Sequence, residues 1–243
     1  MLTGWIIMQF NTYLDNKKKL KLIHDTSIRE VILEHKTLSR MGRLDTDSLL
    51  SLTDAALESG LSPVLQWDTL CTESNFENCI KLLDDLPLSK FAAIRVQDIG
   101  AAEWVRHELP EIPIHFIAEA GNHNLTGLLR WHEYFGQQLQ RFALSSELPI
   151  STLINYCRSL TVPCEILAAG RILLFYTPRK LLGNYESSKD SFVFNEKRLV
   201  PSDQPQRQFP TLENQHGTFM YHHKDLFLLD FIPELQNTRL KVL

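Results

Sequence analysis

Along the chain, short apolar runs alternate with stretches in which apolar residues recur every three or four positions. A few polar residues separate the two kinds of segment, which is the pattern of strands and amphipathic helices in alternation and predicts a parallel sheet wrapped by helices. Trp5 to Gln9 reads as the first strand, and Asn11 or Thr12 can cap a first helix from Tyr13 to His24. Glu30 to Glu34, with Val31, Ile32 and Leu33 in succession, suits a strand buried on both faces. Asp45 or Thr46 caps a helix whose Leu49, Leu52 and Ala56 share one stripe, and Gly60 ends it.

Further strands are predicted at Val64 to Trp67, Ala92 to Val96, Ile114 to Ala118, Arg141 to Leu144 and Glu165 to Ala168. Helices fall between them at Phe76 to Leu83, Ala101 to Glu108, Leu125 to Phe135, and from Ile150 to Leu160 behind Ser151 as cap. From Gly183 to Gln208 the periodicity gives way to Ser, Asp, Asn, Pro and Gln, with brief β-like stretches such as Ser191 to Phe194. Leu226 to Leu235 reads as helix and Leu240 to Leu243 as the last strand. The expectation is one α/β domain over residues 1–243, a (β/α)8 TIM-type barrel with a short β-like excursion at about 183–224 between strands seven and eight. Such barrels typically run to about 250 residues.

Composition narrows the function classes. The 243 residues carry a net charge of -4, so no global positive field favours a nucleic acid or an anionic membrane surface. The first ten residues lack the basic start and long apolar run of a signal peptide, and no stretch is long enough to span a membrane, so a cytoplasmic location is expected. Cys71, Cys79, Cys157 and Cys164 have no C-x-x-C spacing and read as reduced buried thiols.

Nucleophile elbows, phosphate loops and H-E-x-x-H helices are absent from the sequence. The candidate chemistry therefore rests on position, because functional groups of a parallel barrel gather at the carboxyl ends of its strands. Asp98 and Glu119, directly after two strands, can do acid/base work or hold a cation, and Arg171 can grip a carboxylate or phosphate. Asp98 has the competing role of a helix cap. His35, Arg40, Asp68, Gln97, Asn122, Arg179, Glu213, Asn214 and His216 complete the candidate substrate-binding set, and no metal site is assigned. His222 and His223, on alternate faces of a strand, are not expected to act together.

Three stretches carry a family likeness. Ala93 to Gly100 (AIRVQDIG), Cys164 to Leu182 (CEILAAGRILLFYTPRKLL) and Leu212 to Leu229 (LENQHGTFMYHHKDLFLL) resemble the collagenase-like peptidases, the U32 peptidases. The resemblance implies a barrel fold and one of three roles: a peptidase label, hydroxylation of an RNA base, or oxygen-independent quinone hydroxylation. In relatives of the last two kinds it implies an iron-sulfur cluster with one cysteine just after strand seven. Here that turn reads Thr177, Pro178, Arg179, Lys180, and no cysteine follows Cys164. Arginine and lysine cannot replace thiolate ligands, so no cofactor is expected on this chain. The sequence also stops at Leu243, where relatives continue with a Lys-Ile-Glu-Gly-Arg type of segment. The leading expectation is an accessory partner of a homologous cluster-bearing barrel, and the alternative is an enzyme using the polar residues of its own mouth.

Overall fold

The computed structural model describes residues 8–119, 122–182, 197–199, 208–235, 238 and 240–242. They form two compact units, residues 1–166 with 233–243, and residues 167–232.

The first unit is built on eight parallel strands in one sheet. In chain order it begins with β1 (Phe10–Tyr13), α1 (Lys17–Ile23), β2 (Ile28–Glu34), α2 (Thr46–Glu58) and β3 (Ser62–Trp67). It continues through α3 (Glu73–Asp85), β4 (Ala93–Val96), α4 (Ile99–Glu108), β5 (Ile114–Ala118), α5 (Leu125–Phe135), β6 (Leu139–Leu144), α6 (Ile150–Ser159) and β7 (Cys164–Glu165). The strand order is β1-β2-β3-β4-β5-β6-β7, followed by a last strand at Leu240–Val242. Among the described residues no ladder joins that last strand to β1, so the observed fold is a curled parallel α/β sheet.

Local chemistry accounts for most boundaries. Asp45 accepts a hydrogen bond from Ser48 N at 2.9 Å and starts α2, Asp98 accepts from Ala101 N at 3.0 Å and starts α4, and Asn124 accepts from Gly127 N at 2.7 Å and starts α5. Two expectations at helix starts change. Asn16, not Asn11 or Thr12, caps α1, accepting from Lys18 N and Lys19 N at 3.0 and 3.2 Å. Pro149, not Ser151, precedes α6 with no side-chain cap. The predicted strand at Trp5 to Gln9 lies largely outside the described residues; the described strand is Phe10–Tyr13, paired with β2 from Phe10↔Ile28 to Tyr13↔Ile32.

Each central strand has two faces of different chemistry. Val31 and Leu33, Leu65 and Trp67, Ile94 and Val96, Phe116 and Ala118, and Phe142 and Leu144 are almost wholly buried and form the layer beneath the helices. Trp67 stacks on Phe76 of α3 and meets Trp104 of α4 edge-on, and Phe116 packs against Trp131 and Phe135 of α5. The alternate residues face the concave side and are largely polar. β2 is buried on both faces at Val31, Ile32 and Leu33 as expected, and Ile32 shares the concave face with Glu30 and Glu34.

The second unit is a four-stranded antiparallel sheet, order β8-β11-β10-β9, made of β8 (Ala169–Thr177), β9 (Lys197–Leu199), β10 (Phe209–Asn214) and β11 (Gly217–Phe227). It starts well before the excursion expected at 183, because the apolar run after β7 forms an edge strand here and not a loop. Ser191 to Phe194 lies outside the described residues. Tyr176 and Phe219 stack with ring centroids 4.8 Å apart at its centre. The helix expected over Leu226 to Leu235 is reduced to α7 (Ile232–Leu235), since Leu226 and Phe227 finish β11.

Candidate functional site

Charged side chains on the concave face of the first unit meet across non-adjacent strands. Arg141 of β6 donates from Nη2 to Glu30 Oε1 of β2 at 2.9 Å, and Arg95 of β4 donates from Nη2 to Glu165 Oε1 of β7 at 2.6 Å. Glu165 Oε2 also accepts from Asn11 of β1 at 2.9 Å and from Arg141 at 3.3 Å. These contacts require the sheet to curl until β1 faces β7. Burial works to raise the Glu165 carboxyl, but the two guanidinium groups outweigh it and hold it below the usual carboxylate range. His115 of β5 lies among the same groups, and burial, reinforced by Arg141 and Arg95, holds it neutral. Arg95 Nε, Arg141 Nε and His115 Nδ1 are buried with no hydrogen-bond partner among the described residues.

A second set of polar groups stands at the carboxyl ends of the strands. The loop after β2 turns tightly enough that a Cβ on Gly42 would lie 2.3 Å from the His35 carbonyl oxygen. That turn brings Arg40 over the sheet. Arg40 N donates to Asp68 Oδ1 at 2.8 Å, its Nε to Asp68 Oδ2 at 2.9 Å, and its Nη2 to Glu119 Oε2 at 3.1 Å. Gln66 Nε2 donates to Asp68 Oδ2 at 2.9 Å. Arg40 and Asp68 are buried, whereas the Glu119 side chain keeps 32% exposure. One guanidinium thus binds two carboxylates, one fixed and one open to solvent.

Beside this cluster lies a cavity of about 200 Å³ whose walls include Tyr13 and Glu34. Burial, with the Asp68 carboxylate adding to it, pushes the Glu34 carboxyl up to about 8 against the opposing pull of Arg95, Arg40 and Arg43. Tyr13 is 44% exposed as a residue, yet its hydroxyl is 3.3 Å from Arg95 Nη1 and 3.4 Å from Gln66 Nε2, and burial pushes it up to about 12.

The residues singled out in the sequence fall into three groups. Arg40, Asp68 and Glu119 come together in one network. Gln97, Asp98, Asn122 and His35 lie in the same unit in other settings. Asp98 caps α4 and accepts from Cys71 N at 3.2 Å. Gln97 is buried with Oε1 unpartnered among the described residues. Asn122 accepts from Trp131 Nε1 at 3.0 Å. His35 faces away from Glu34, accepting at Nδ1 from Thr37 N at 3.1 Å, and burial with Lys36 pulls it down to about 4.

Arg171, Arg179, Glu213, Asn214 and His216 belong to the second unit. Arg171 of β8 stands opposite Asp225 of β11, and Arg179 is exposed. Glu213 is buried and accepts from Leu182 N at 2.7 Å and from the Thr218 hydroxyl at 2.8 Å. Asn214 Oδ1 accepts from His216 N at 2.8 Å, forming the turn before Gly217, and the His216 carbonyl accepts from the Tyr176 hydroxyl at 3.1 Å. His222 and His223, expected on opposite faces, have ring centroids 4.2 Å apart, because the β8–β11 register slips between Tyr221 and Asp225.

Sequence reading missed Glu30, Glu34, Gln66, Arg95, His115, Arg141 and Glu165. A signal was present: Glu30 and Glu34, Gln66 and Asp68, Arg95 and Gln97, His115 and Glu119, and Arg141 and Ser145 are polar residues separated by two or four positions, hence on one face, inside segments otherwise fit for a buried strand. Cluster ligation has no matching donor set in the described structure. Cys79, Cys157 and Cys164 are buried, Cys71 is half-buried, and no three His, Cys, Asp or Glu side chains converge as a metal site among the described residues. No helix among them is long and apolar enough to cross a membrane.

A curled parallel α/β sheet with ion pairs on its concave face and a charged cluster at the carboxyl ends of its strands defines a barrel-type α/β protein with a polar interior. The model of peptidase family U32 matches residues 16–243, and the chain belongs to that family. Over 137 residues it is 23% identical to the tRNA hydroxylation protein P2 of Bacillus subtilis (strain 168), a match covering 54% of this chain and 43% of that protein. The chain therefore matches less than half the length of this relative. A solved U32 peptidase structure shares the fold, with a TM-score of 0.50 and 13% identity, covering 71% of this chain and 73% of the other.

Proposed function

We propose that this U32 protein binds a small polar substrate at the carboxyl-end mouth of its sheet and serves in a hydroxylation of the kind named for its Bacillus relative. Arg40, Asp68 and Glu119 form the fixed polar frame. The observation that supports this most is the Arg40 guanidinium joining buried Asp68 to half-open Glu119, which leaves a charged face turned toward solvent where parallel barrels carry their sites. In this reading the sheet is a (β/α)8 barrel closed beside β1, a view supported by the Asn11–Glu165 contact. Asp98 and Gln97 border the mouth, and Arg171 and the Glu213 to His216 turn belong to an appended module.

The sequence supports a division of labour. With Arg179 and Lys180 in the turn after β8, and no three His, Cys, Asp or Glu side chains converging as a metal site among the described residues, we assign the redox centre of such a reaction to a homologous cluster-bearing barrel. The test is complementation. Cells lacking the gene are supplied with wild-type, Arg40→Met or Asp68→Asn protein, and their RNA nucleosides and quinones are compared by mass spectrometry. Loss of one hydroxylated product with both variants, at wild-type protein level, is expected; unchanged products in the deleted cells overturn the reading. Co-purification that recovers no homologous barrel removes the partner.

A further inference from the structure

Two cysteines meet beyond the carboxyl end of β3. Cys71, half-buried, lies in the loop between β3 and α3, and Cys79 is buried on α3. Their sulfurs are within hydrogen-bonding reach of each other, with the Cys79 S–H donating to Cys71. Cys71 Sγ also lies 3.8 Å from the Thr69 carbonyl oxygen, and Cys79 Sγ lies 3.9 Å from that of Thr37. The pair is thus seated against the loops that follow β2 and β3.

The surroundings make the two sulfurs unequal. Trp67 Nε1 and Thr69 Oγ1 are buried with no hydrogen-bond partner among the described residues, and both favour the ionised form of Cys71. A buried N–H and O–H that lack partners beside a neutral thiol gain one when it becomes a thiolate. The Cys79 S–H holds Cys71 below the usual thiol range, with Trp67 and Thr69 adding to it, against burial and the Asp98 carboxylate. Donation to Cys71, together with burial, pushes Cys79 far above that range. One sulfur is acidic and open to solvent, and the other is protonated and covered. Cys157 of α6 and Cys164 of β7 also share a hydrogen bond, but both are fully buried, so an oxidant in solution has no access to them.

We propose that Cys71 and Cys79 form a peroxide-reactive dithiol site, with Cys71 as the attacking and Cys79 as the resolving thiol. The Cys71 thiolate attacks one oxygen of hydrogen peroxide: an S–O bond forms, the O–O bond breaks, and the leaving hydroxide takes a proton from solvent to give water. Cys71 loses two electrons and becomes a sulfenic acid, and the peroxide is reduced. Cys79 then attacks the Cys71 sulfur, forming the S–S bond and breaking S–O, and the second hydroxide leaves as water with the Cys79 proton. Closure brings the sulfurs to about 2 Å. It also removes the S–H donors facing the Thr37 and Thr69 carbonyls, in the loops that carry Arg40 and Asp68. The chemistry requires no substrate at the mouth and stands apart from the hydroxylation reading.

Peptide mapping of the whole protein tests this. Reduced protein is exposed to hydrogen peroxide, unfolded, alkylated at its free thiols and cleaved at glutamate. Glu73 and Glu77 lie between the two cysteines, so a Cys71–Cys79 disulfide joins fragments that reduction separates. That linked species is expected, with Cys157 and Cys164 recovered as free thiols, and dithiothreitol is expected to restore the pair. In Cys79→Ser, dimedone is expected to label Cys71 as the trapped sulfenic acid; in Cys71→Ser, Cys79 is expected to stay unlabelled. Iodoacetamide should alkylate Cys71 of the native protein about tenfold faster than the other three cysteines at pH 7, with a pH midpoint below that of an ordinary thiol, and Thr69→Val should raise that midpoint. The proposal is overturned if millimolar peroxide leaves Cys71 and Cys79 as thiols in the wild-type protein, if Cys71 pairs only between two copies of the chain, or if Cys157 and Cys164 are oxidised as fast. Labelling of Cys79 in Cys71→Ser as readily as Cys71 in Cys79→Ser overturns the division of roles.

Discussion

Replacing Glu165 by Ala is expected to be the most damaging single change in the concave face. Glu165 is buried and takes hydrogen bonds from Arg95 at 2.6 Å, Asn11 at 2.9 Å and Arg141 at 3.3 Å. Arg141 retains Glu30 when the carboxylate is gone, but Arg95 is left with Gln66 and Tyr13 and no direct ion pair among the described residues. Breaking one side of a buried pair costs about 3–5 kcal/mol, because a charge stays behind without compensation. Against a typical total of roughly 5–15 kcal/mol that is a large share. For a chain of this size it corresponds to a fall of roughly 6–20 °C in Tm, from about 2–4 °C per kcal/mol. Trp67, Trp104 and Trp131 belong to the first unit, so their fluorescence during urea unfolding reports on that unit. The expected result is a lower midpoint at unchanged slope. A double-mutant cycle with Arg95→Met should recover part of the loss, since the orphaned charge is removed with its partner. A cost below about 1 kcal/mol for Glu165→Ala, or additive effects in the cycle, would refute the view that the concave face is held by interlocked charge.

Because the Glu165 carboxyl lies below its unfolded value, its stabilising effect is full above the ordinary carboxylate range and is lost as pH falls through its lowered value; acid unfolding of the Glu165→Gln variant should lack that component. Asp98→Ala removes the cap of α4 and the bond from Cys71 N, and a loss of about 1 kcal/mol is expected in the same urea assay. Gly217→Ala is expected to disrupt the β10–β11 hairpin, since φ is +124° and the new Cβ would lie 1.9 Å from the Thr177 carbonyl oxygen; amide exchange in residues 209–227 should rise while the tryptophan signal stays native. His35, pulled down to about 4, is expected to show no imidazole titration between pH 5.5 and 8 by NMR, and a titration within that range refutes its buried neutral setting.

Much of the element order was written locally. Ile114–Ala118 and Leu125–Phe135 stand where periodicity placed them, and Asp45 and Gly60 bound α2 as expected, because an apolar run, a capping carboxylate and a glycine with φ of 72° act over one or two turns. The strand after β7 was misread because a nine-residue edge strand of an antiparallel sheet shows no strict alternation; only its partner β11 defines it. The same holds for His222 and His223, whose rings meet only through a register slip that depends on β8.

The site divides along the same line. Asp68, Glu119 and Arg40 are candidates by their expected place at the mouth of the barrel, and the structure joins the three side chains in one network. The concave face was not found, although its alternating polar residues stood in the sequence, because a lone Glu30, Arg95 or Arg141 in a strand has no meaning until its partner is known. Those partners lie far along the chain: Arg141 and Glu30 are 111 residues apart, and Asn11 and Glu165 are 154 apart. Sequence by itself determined where most strands and helices of the first unit form, since that depends on propensity, periodicity and caps within a few residues. Tertiary structure alone decided which charges face each other, since that depends on how far the sheet curls.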